Sequence, residues 1–313
     1  MLKIKKRIIS KASGLWKRGL YPLQDLQGTG LGPQGACYEH NGKPCIISVD
    51  LEDCRWFGAS GLSYSNDSLH PYVRTLMEYE AGQCITYEGS YLQKYWQSWT
   101  PKNLAEYFDL ELNKYCHPLL LQTPPNHNIL PWSPSGTVDY MKQEKWKNRS
   151  DYRALVNAGC APARSCGPKP DWFGEARFQH LVSIFKSIKK TGYRPEVSTK
   201  IPYDQQHILG SCLIREGQVR FNILNGQHRA SVLSALGHTT APIIVNCHAS
   251  RGPGTVRREE VAHWPLVRLG ILSANEALAI FDRIFDAKPP RELARLKRNN
   301  FISEPHAVKV LTN

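Results

Sequence analysis

Three observations predict an α/β protein, of α+β character. Residues 221–224 are an apolar β-type run that meets Gly226 and passes at once into a helical pattern (Ala230, Val232, Leu233, Leu236) closing at Gly237. Residues 241–245 are a short β-branched run, expected as a buried strand parallel to the first. Strand-like runs at 45–49 and 208–214 and longer helical patterns at 174–190 and 274–286 extend the alternation along the chain. Of its 313 residues, 41% are hydrophobic, enough for one large domain or two ordinary ones.

Residues 1–20 come first. Lys3, Lys5, Lys6, Arg7, Lys11, Lys17 and Arg18 precede the first acid, Asp25, and Ile4, Ile8, Ala12 and Leu15 recur between them at helical spacing. A helix there is basic on one side and apolar on the other, which suits an anionic membrane surface, with Lys3, Lys5, Lys6, Arg7, Lys11 and Trp16 as the contacts. A solvated basic tail and a nucleic-acid arm are the alternatives, and the net charge of +13 serves any of them. Charges recur through the segment and no small-residue cleavage site follows, so it does not read as a secretory signal. No apolar stretch approaches the roughly 18 residues that span a bilayer. The 9 cysteines include no C-x-x-C pair, which indicates neither a zinc ribbon nor a disulfide framework. The expected location is cytoplasmic, peripheral on the inner face of the membrane.

Residues 21–170 form the second region, with an early strand at 45–49 and a long insertion from about 55 to 170. Within it Tyr87, Tyr91, Tyr95, Trp96 and Trp99 lie beside Glu78, Glu80 and Glu88. Such rings suit stacking on a sugar or a base, or packing in a core. Thr100 and Pro101 read as the N-cap and first position of a helix. Residues 113–134, rich in Pro, Asn and His, and residues 160–172 read as loops.

The third region, 171–250, holds the chemistry. Glu175 opens the helix at 174–190, where it complements the helix dipole or turns toward the site as a catalytic acid. Asp204 and His207 sit just before the strand at 208–214, and His207 is a candidate general base or phosphate contact. Gly226 then makes the central turn, since it alone tolerates positive φ or close backbone approach. The first amides of the following helix lack intrahelical partners, and with the dipole and the Arg229 guanidinium they would face one point where a phosphate fits. In residues 251–313, a Gly/Pro linker at 250–255 leads to a capping box at Ser273 and Glu276, a helix to about Asp286, and a last basic helix from Pro290 through Lys297.

Asn225-Gly226-Gln227-His228-Arg229-Ala230, followed by Leu236-Gly237 and Pro242-Ile243-Ile244-Val245, resembles the signature of the ParB/sulfiredoxin-like superfamily, a G-x-H-R box at a helix start. The preceding helix, ending Ser187-Ile188 and then Gly192, is similar to that family's Ser-Ile-x-x-x-Gly pattern, so the likeness covers residues 175–247. The resemblance implies a ParB/sulfiredoxin-like core carrying a large N-terminal insertion and C-terminal helices. It also implies that Asn225, Gly226, Gln227, His228 and Arg229 hold the phosphates of a nucleoside di- or triphosphate with Mg²⁺. Family members bind CTP, use ATP to repair an oxidised cysteine, phosphorylate free serine, or act in DNA modification through a D-G-Q-H-R box.

Two departures narrow this. Sulfiredoxins place the reactive Cys where this chain has Gln227, which excludes that chemistry. The serine kinases and D-G-Q-H-R proteins begin the box with Asp, where this chain has Asn225, so phosphoryl transfer would need another acid. The leading expectation is a membrane-associated, nucleotide-dependent phosphotransferase or hydrolase acting on a small or saccharide-like substrate. The alternatives are a nucleotide-gated DNA-binding protein and a catalytically silent scaffold. No H-E-x-x-H, Walker loop, dinucleotide G-x-G-x-x-G or G-x-S-x-G elbow occurs.

Overall fold

Strand-forming runs from distant parts of the chain meet in one mixed sheet. The computed structural model of the protein describes residues 23–111, 116–148, 150–195, 207–245 and 254–298. The basic segment with Lys3, Lys5, Lys6, Arg7, Lys11 and Trp16, together with Asp204 and most of the expected linker, lies outside the described residues. The strands are β1 (Gln24–Asp25), β2 (Cys45–Asp50), β3 (Cys54–Arg55), β4 (Ile208–Arg215), β5 (Gln218–Asn225), β6 (Thr240–Val245) and β7 (Thr255–Arg257). They lie in the order β1-β2-β6-β4-β5-β3, with β7 also beside β4.

The α/β class is therefore correct, but one pairing differs from expectation. β6 is not parallel to β5. It pairs antiparallel with β2 and parallel with β4, while β4 and β5 form an antiparallel hairpin. The cause is local to that hairpin. Glu216 and Gly217 take φ of 51° and 76°, the paired left-handed values of a two-residue turn that returns the chain beside itself. With β4 between them, β5 and β6 do not pair, and the helix that joins them crosses over one strand.

The helices are α1 (Pro33–Glu39), α2 (Pro71–Glu80), α3 (Tyr91–Ser98), α4 (Leu104–Tyr107), α5 (Pro118–Gln122), α6 (Gly136–Lys142), α7 (Ser150–Asn157), α8 (Asp171–Thr191), α9 (Gln227–Ala235), α10 (Pro265–Arg268), α11 (Ala274–Phe285) and α12 (Arg291–Arg298). Ser273 and Glu276 form the expected capping box at α11. The helix expected at Thr100 instead begins at Leu104, because Asn103 accepts the Glu106 amide and is its N-cap. The stretch 113–134 is not all loop, since α5 lies within it.

One hydrophobic core runs from Leu26 to Leu293 and crosses the boundaries expected at 171 and 251. Residues 21–170 contribute β1, β2 and β3 to the sheet, as well as α2, which packs on α9 and α8, and α3, which packs on α2 and α8. Tyr87, Tyr91, Tyr95, Trp96 and Trp99 are all buried in this core, so they pack against protein and are closed to a ligand. The glutamates beside them do structural work: Glu78 accepts the Tyr91 amide and Glu80 pairs with Lys189. Buried Arg55 ties the C-terminal region down, donating to the carbonyls of Ile284 and Phe285 in the last turn of α11 at 2.9 and 2.7 Å. α9 packs on α2 and α8, which brings residues from three separate parts of the chain to its first turn.

Candidate functional site

The backbone shapes the turn before any side chain acts. Leu209 pairs with Asn225 while Gly210 pairs with Ile223, so Leu224 is an extra residue and β5 bulges there. On a regular strand Asn222 and Leu224 would share one face and Asn225 would take the other. The bulge cancels that alternation, and Asn222, Leu224 and Asn225 line one cavity while Phe221 and Ile223 stay buried in the core.

Gly226 follows with φ 80° and ψ 19° as the N-cap of α9. A Cβ at this position would stand 2.8 Å from the Ile208 Cα and 3.0 Å from the His207 carbonyl oxygen. Only glycine fits there without moving the start of β4. Asn225 Oδ1 accepts the Gly226 amide at 2.9 Å, and no side chain caps the first turn of α9. That turn therefore keeps amides without intrahelical acceptors at the positive end of the dipole.

On one side of the turn lies a cluster of cations and rings. His228 stacks on Tyr72 with centroids 4.9 Å apart and planes at 16°, and His180 meets it edge-on at 5.0 Å. Arg177 Nη1 stands 3.4 Å from His228 Nε2. Arg177 and His180 come from one face of α8, being three residues apart, and Tyr72 comes from the first turn of α2. Burial holds the His228 pKa well below its ordinary value, and Arg177, His180, Arg164 and Arg229 press it further down. His228 is thus neutral at pH 7. Because Arg177 can only donate, Nε2 is the acceptor and the ring proton sits on Nδ1. His180 is lowered by partial burial and then by Arg177 and Arg229. With His180 itself held below its ordinary value, the formal charges acting on His228 are the guanidinium groups of Arg177, Arg164 and Arg229, which favour an anion at the head of α9.

Arg229 donates through Nη1 to the His207 carbonyl at 3.4 Å, so it braces the segment before β4. His207 is buried, with its pKa lowered by burial and by Arg229, and Asp25 opposes the shift. It joins the site, with its carbonyl rather than its ring taking the Arg229 guanidinium. Glu175 does not join it. Two residues from Arg177, it points about 200° round the helix from it. It is exposed, and its Oε1 accepts from Gln179 Nε2 at 2.8 Å, so the expectation of a catalytic acid there is corrected.

On the other side lies a cavity of about 610 Å³. Asn222, Asn225 and Gln227 reach it from β5 and the start of α9, and Phe57, Asn128, Tyr140, Tyr152 and Arg164 reach it from the region before α8. Arg164 joins the two sides, since it lines the cavity and also acts on Tyr72 and His228. Asn222 is 1% exposed and its Oδ1 has no hydrogen-bond partner. A buried acceptor left in that state costs about 1–3 kcal/mol.

Spacing along the chain points to the box residues but not to Tyr72, Arg164, Arg177, His180 and Asn222, which only the fold brings beside them. Only Arg177 and His180 carried a usable signal, as basic residues three apart on the helix preceding the box. Among the described residues no group of three or more His, Cys, Asp or Glu side chains converges as a metal site. Compared with known protein families, curated proteins and solved structures, the chain matches none of them.

Proposed function

We propose that the protein binds a nucleotide, with its phosphates at the head of α9, as the resemblance to ParB/sulfiredoxin-like proteins implies. The observation that carries this reading is a start of α9 that has no side-chain cap, holds Arg229 in its first turn and has the Arg177 guanidinium 3.4 Å from His228. The turn amides and the guanidinium groups would hold the phosphoryl oxygens, and Tyr72 behind His228 fixes the ring that faces them. Mg²⁺ would enter coordinated by the nucleotide's own phosphates, where it neutralises charge.

Binding is better supported than phosphoryl transfer or hydrolysis. Among the described residues no Asp or Glu lines the cavity, Glu175 faces away, and Asn225 stands where the serine kinases whose box it resembles carry Asp. The enzymatic part of the proposal therefore rests on an acid supplied by the acceptor or by residues outside those described. Isothermal titration with ATP, ADP and CTP, each with Mg²⁺, tests the reading. Arg229→Ala should lose about 1.5–3 kcal/mol of binding, the range for a hydrogen bond to a charged group. Unchanged affinity in a folded variant refutes the phosphate site.

The membrane part of the proposal concerns residues 1–20 alone. No described helix is long and apolar enough to cross a membrane, so attachment would be at the surface, through the cationic segment.

A further inference from the structure

Of the side chains around His228, His180 is the one to which a phosphate at the head of α9 gives no structural task. It lies on α8 one turn beyond Arg177, is exposed, and presents its ring edge-on to His228 at 5.0 Å. Its carbonyl takes the Ser183 hydroxyl, and among the described residues its ring nitrogens hold no hydrogen bond. Both nitrogens of an exposed ring in that state are open to solvent or to a ligand.

The surroundings set what the ring can do. Partial burial, then Arg177 on its own helix and Arg229 on α9, hold its pKa below the ordinary value, and among the described residues no carboxylate acts on it. His228 from α9 and Tyr72 from α2 are neutral, since burial lowers the one and raises the other. The charged groups of the remaining neighbours are engaged elsewhere or add no acid. On α2, Arg74 donates to the Ser68 carbonyl, Glu78 accepts the Tyr91 amide and Glu80 pairs with Lys189, while α3 carries Lys94 and no carboxylate. A proton on His180 by itself therefore stands against two guanidinium groups and finds no acceptor. An anion among those same groups cancels their repulsion and offers the ring N–H an oxygen. Proton and anion then raise each other's affinity by the same factor.

We infer that anion binding at the head of α9 and protonation of His180 are one coupled event, in which His180 contacts the bound phosphate in its charged form and the site tightens as the pH falls. This rests on the phosphate reading of the site and adds a regulation to it. The sign follows from linkage: the bound anion raises the affinity of His180 for a proton, so the gain is complete below the pKa of the free protein and lost above that of the complex.

Inorganic sulfate is the probe, because it keeps its charge across the range and leaves any pH dependence to the protein. Isothermal titration on the full-length protein at constant ionic strength, between about pH 8 and 5.5, should show affinity rising roughly tenfold, with proton uptake seen as a buffer-dependent heat. His180→Asn should flatten the rise to less than about threefold and remove the uptake, whereas His180→Lys, with its charge fixed, should bind at pH 8 roughly as tightly as wild type at pH 5.5. Both changes fall on an exposed helical position. A flat wild-type profile, a rise that persists in His180→Asn because His228 or His207 supplies the proton, or weak binding by His180→Lys at pH 8 overturns the inference. Those outcomes leave the phosphate site standing, while absence of both sulfate and nucleotide binding at every pH removes the site and the coupling together.

Discussion

Replacing Gly226 by alanine perturbs the site at its narrowest point, and the structure supplies a matched control. Gly226 and Gly237 bracket α9 and take nearly the same left-handed conformation, with φ of 80° and 85°. A side chain at either position costs about 1–2 kcal/mol in backbone strain. They differ in surroundings. The Cβ at Gly237 would meet nothing within 4 Å, whereas the Cβ at Gly226 would press on the Ile208 Cα and the His207 carbonyl oxygen at 2.8 and 3.0 Å. Both contacts are backbone, so no rotamer change relieves them, and the turn must move off β4. Overpacking of that kind typically adds about 1–3 kcal/mol. Gly237→Ala should therefore lose about 1–2 kcal/mol of stability and Gly226→Ala about 2–5. Urea unfolding followed by circular dichroism measures both at pH 7. Gly226→Ala should also weaken nucleotide binding while Gly237→Ala leaves it intact, because only the former shifts the amides at the head of α9. Equal destabilisation by the two substitutions, within about 0.5 kcal/mol, would refute the close-approach argument.

Asn225→Asp should keep the bond to the Gly226 amide, which a carboxylate accepts equally well, and so preserve stability. If an acid at that position is what phosphoryl transfer lacks, nucleotide turnover should appear or rise, and a coupled ADP or phosphate assay reads it. Glu175→Gln should leave nucleotide binding and turnover at wild-type levels, and a loss of more than about tenfold would restore Glu175 as a catalytic group. Stability should fall as the pH drops below about 6.5. Burial lowers His70 to about 3 and holds His228 well below its ordinary value, so the unfolded chain takes up protons that the folded one refuses. Each such histidine contributes a slope of about 1.4 kcal/mol per pH unit between pH 6.5 and its folded pKa. His70→Asn, which keeps an acceptor for the Val73 amide, should reduce the slope between pH 6 and 5 by about one such increment in urea titrations. Deleting residues 1–20 should abolish salt-sensitive binding to anionic vesicles and spare nucleotide binding, and full-length protein that ignores vesicles but binds duplex DNA through this segment would overturn the membrane proposal.

Features that a few consecutive residues settle are legible without the fold. Gly226 and Gly237 bound α9 because only glycine adopts their φ at little cost, and the capping box at Ser273 closes on itself within four residues. The α/β class follows from the same kind of signal, repeated. Tertiary structure decided what depends on partners far apart in the chain. The direction of β6 relative to β5 depends on β4 lying between them, and the bulge that turns Asn225 into the cavity shows only when β5 is paired. The fate of Tyr87, Tyr91, Tyr95, Trp96 and Trp99 illustrates the limit, since rings that suit a ligand and rings that fill a core have the same composition and differ only in what covers them. The candidate site has the same character. The box residues could be read in order, but Arg177, His180 and Tyr72 reach His228 only because α9 packs on α2 and α8, and Arg164 acts on it from the segment before α8. Electrostatic and stacking interactions act through space, so no local pattern encodes which charges will surround which ring.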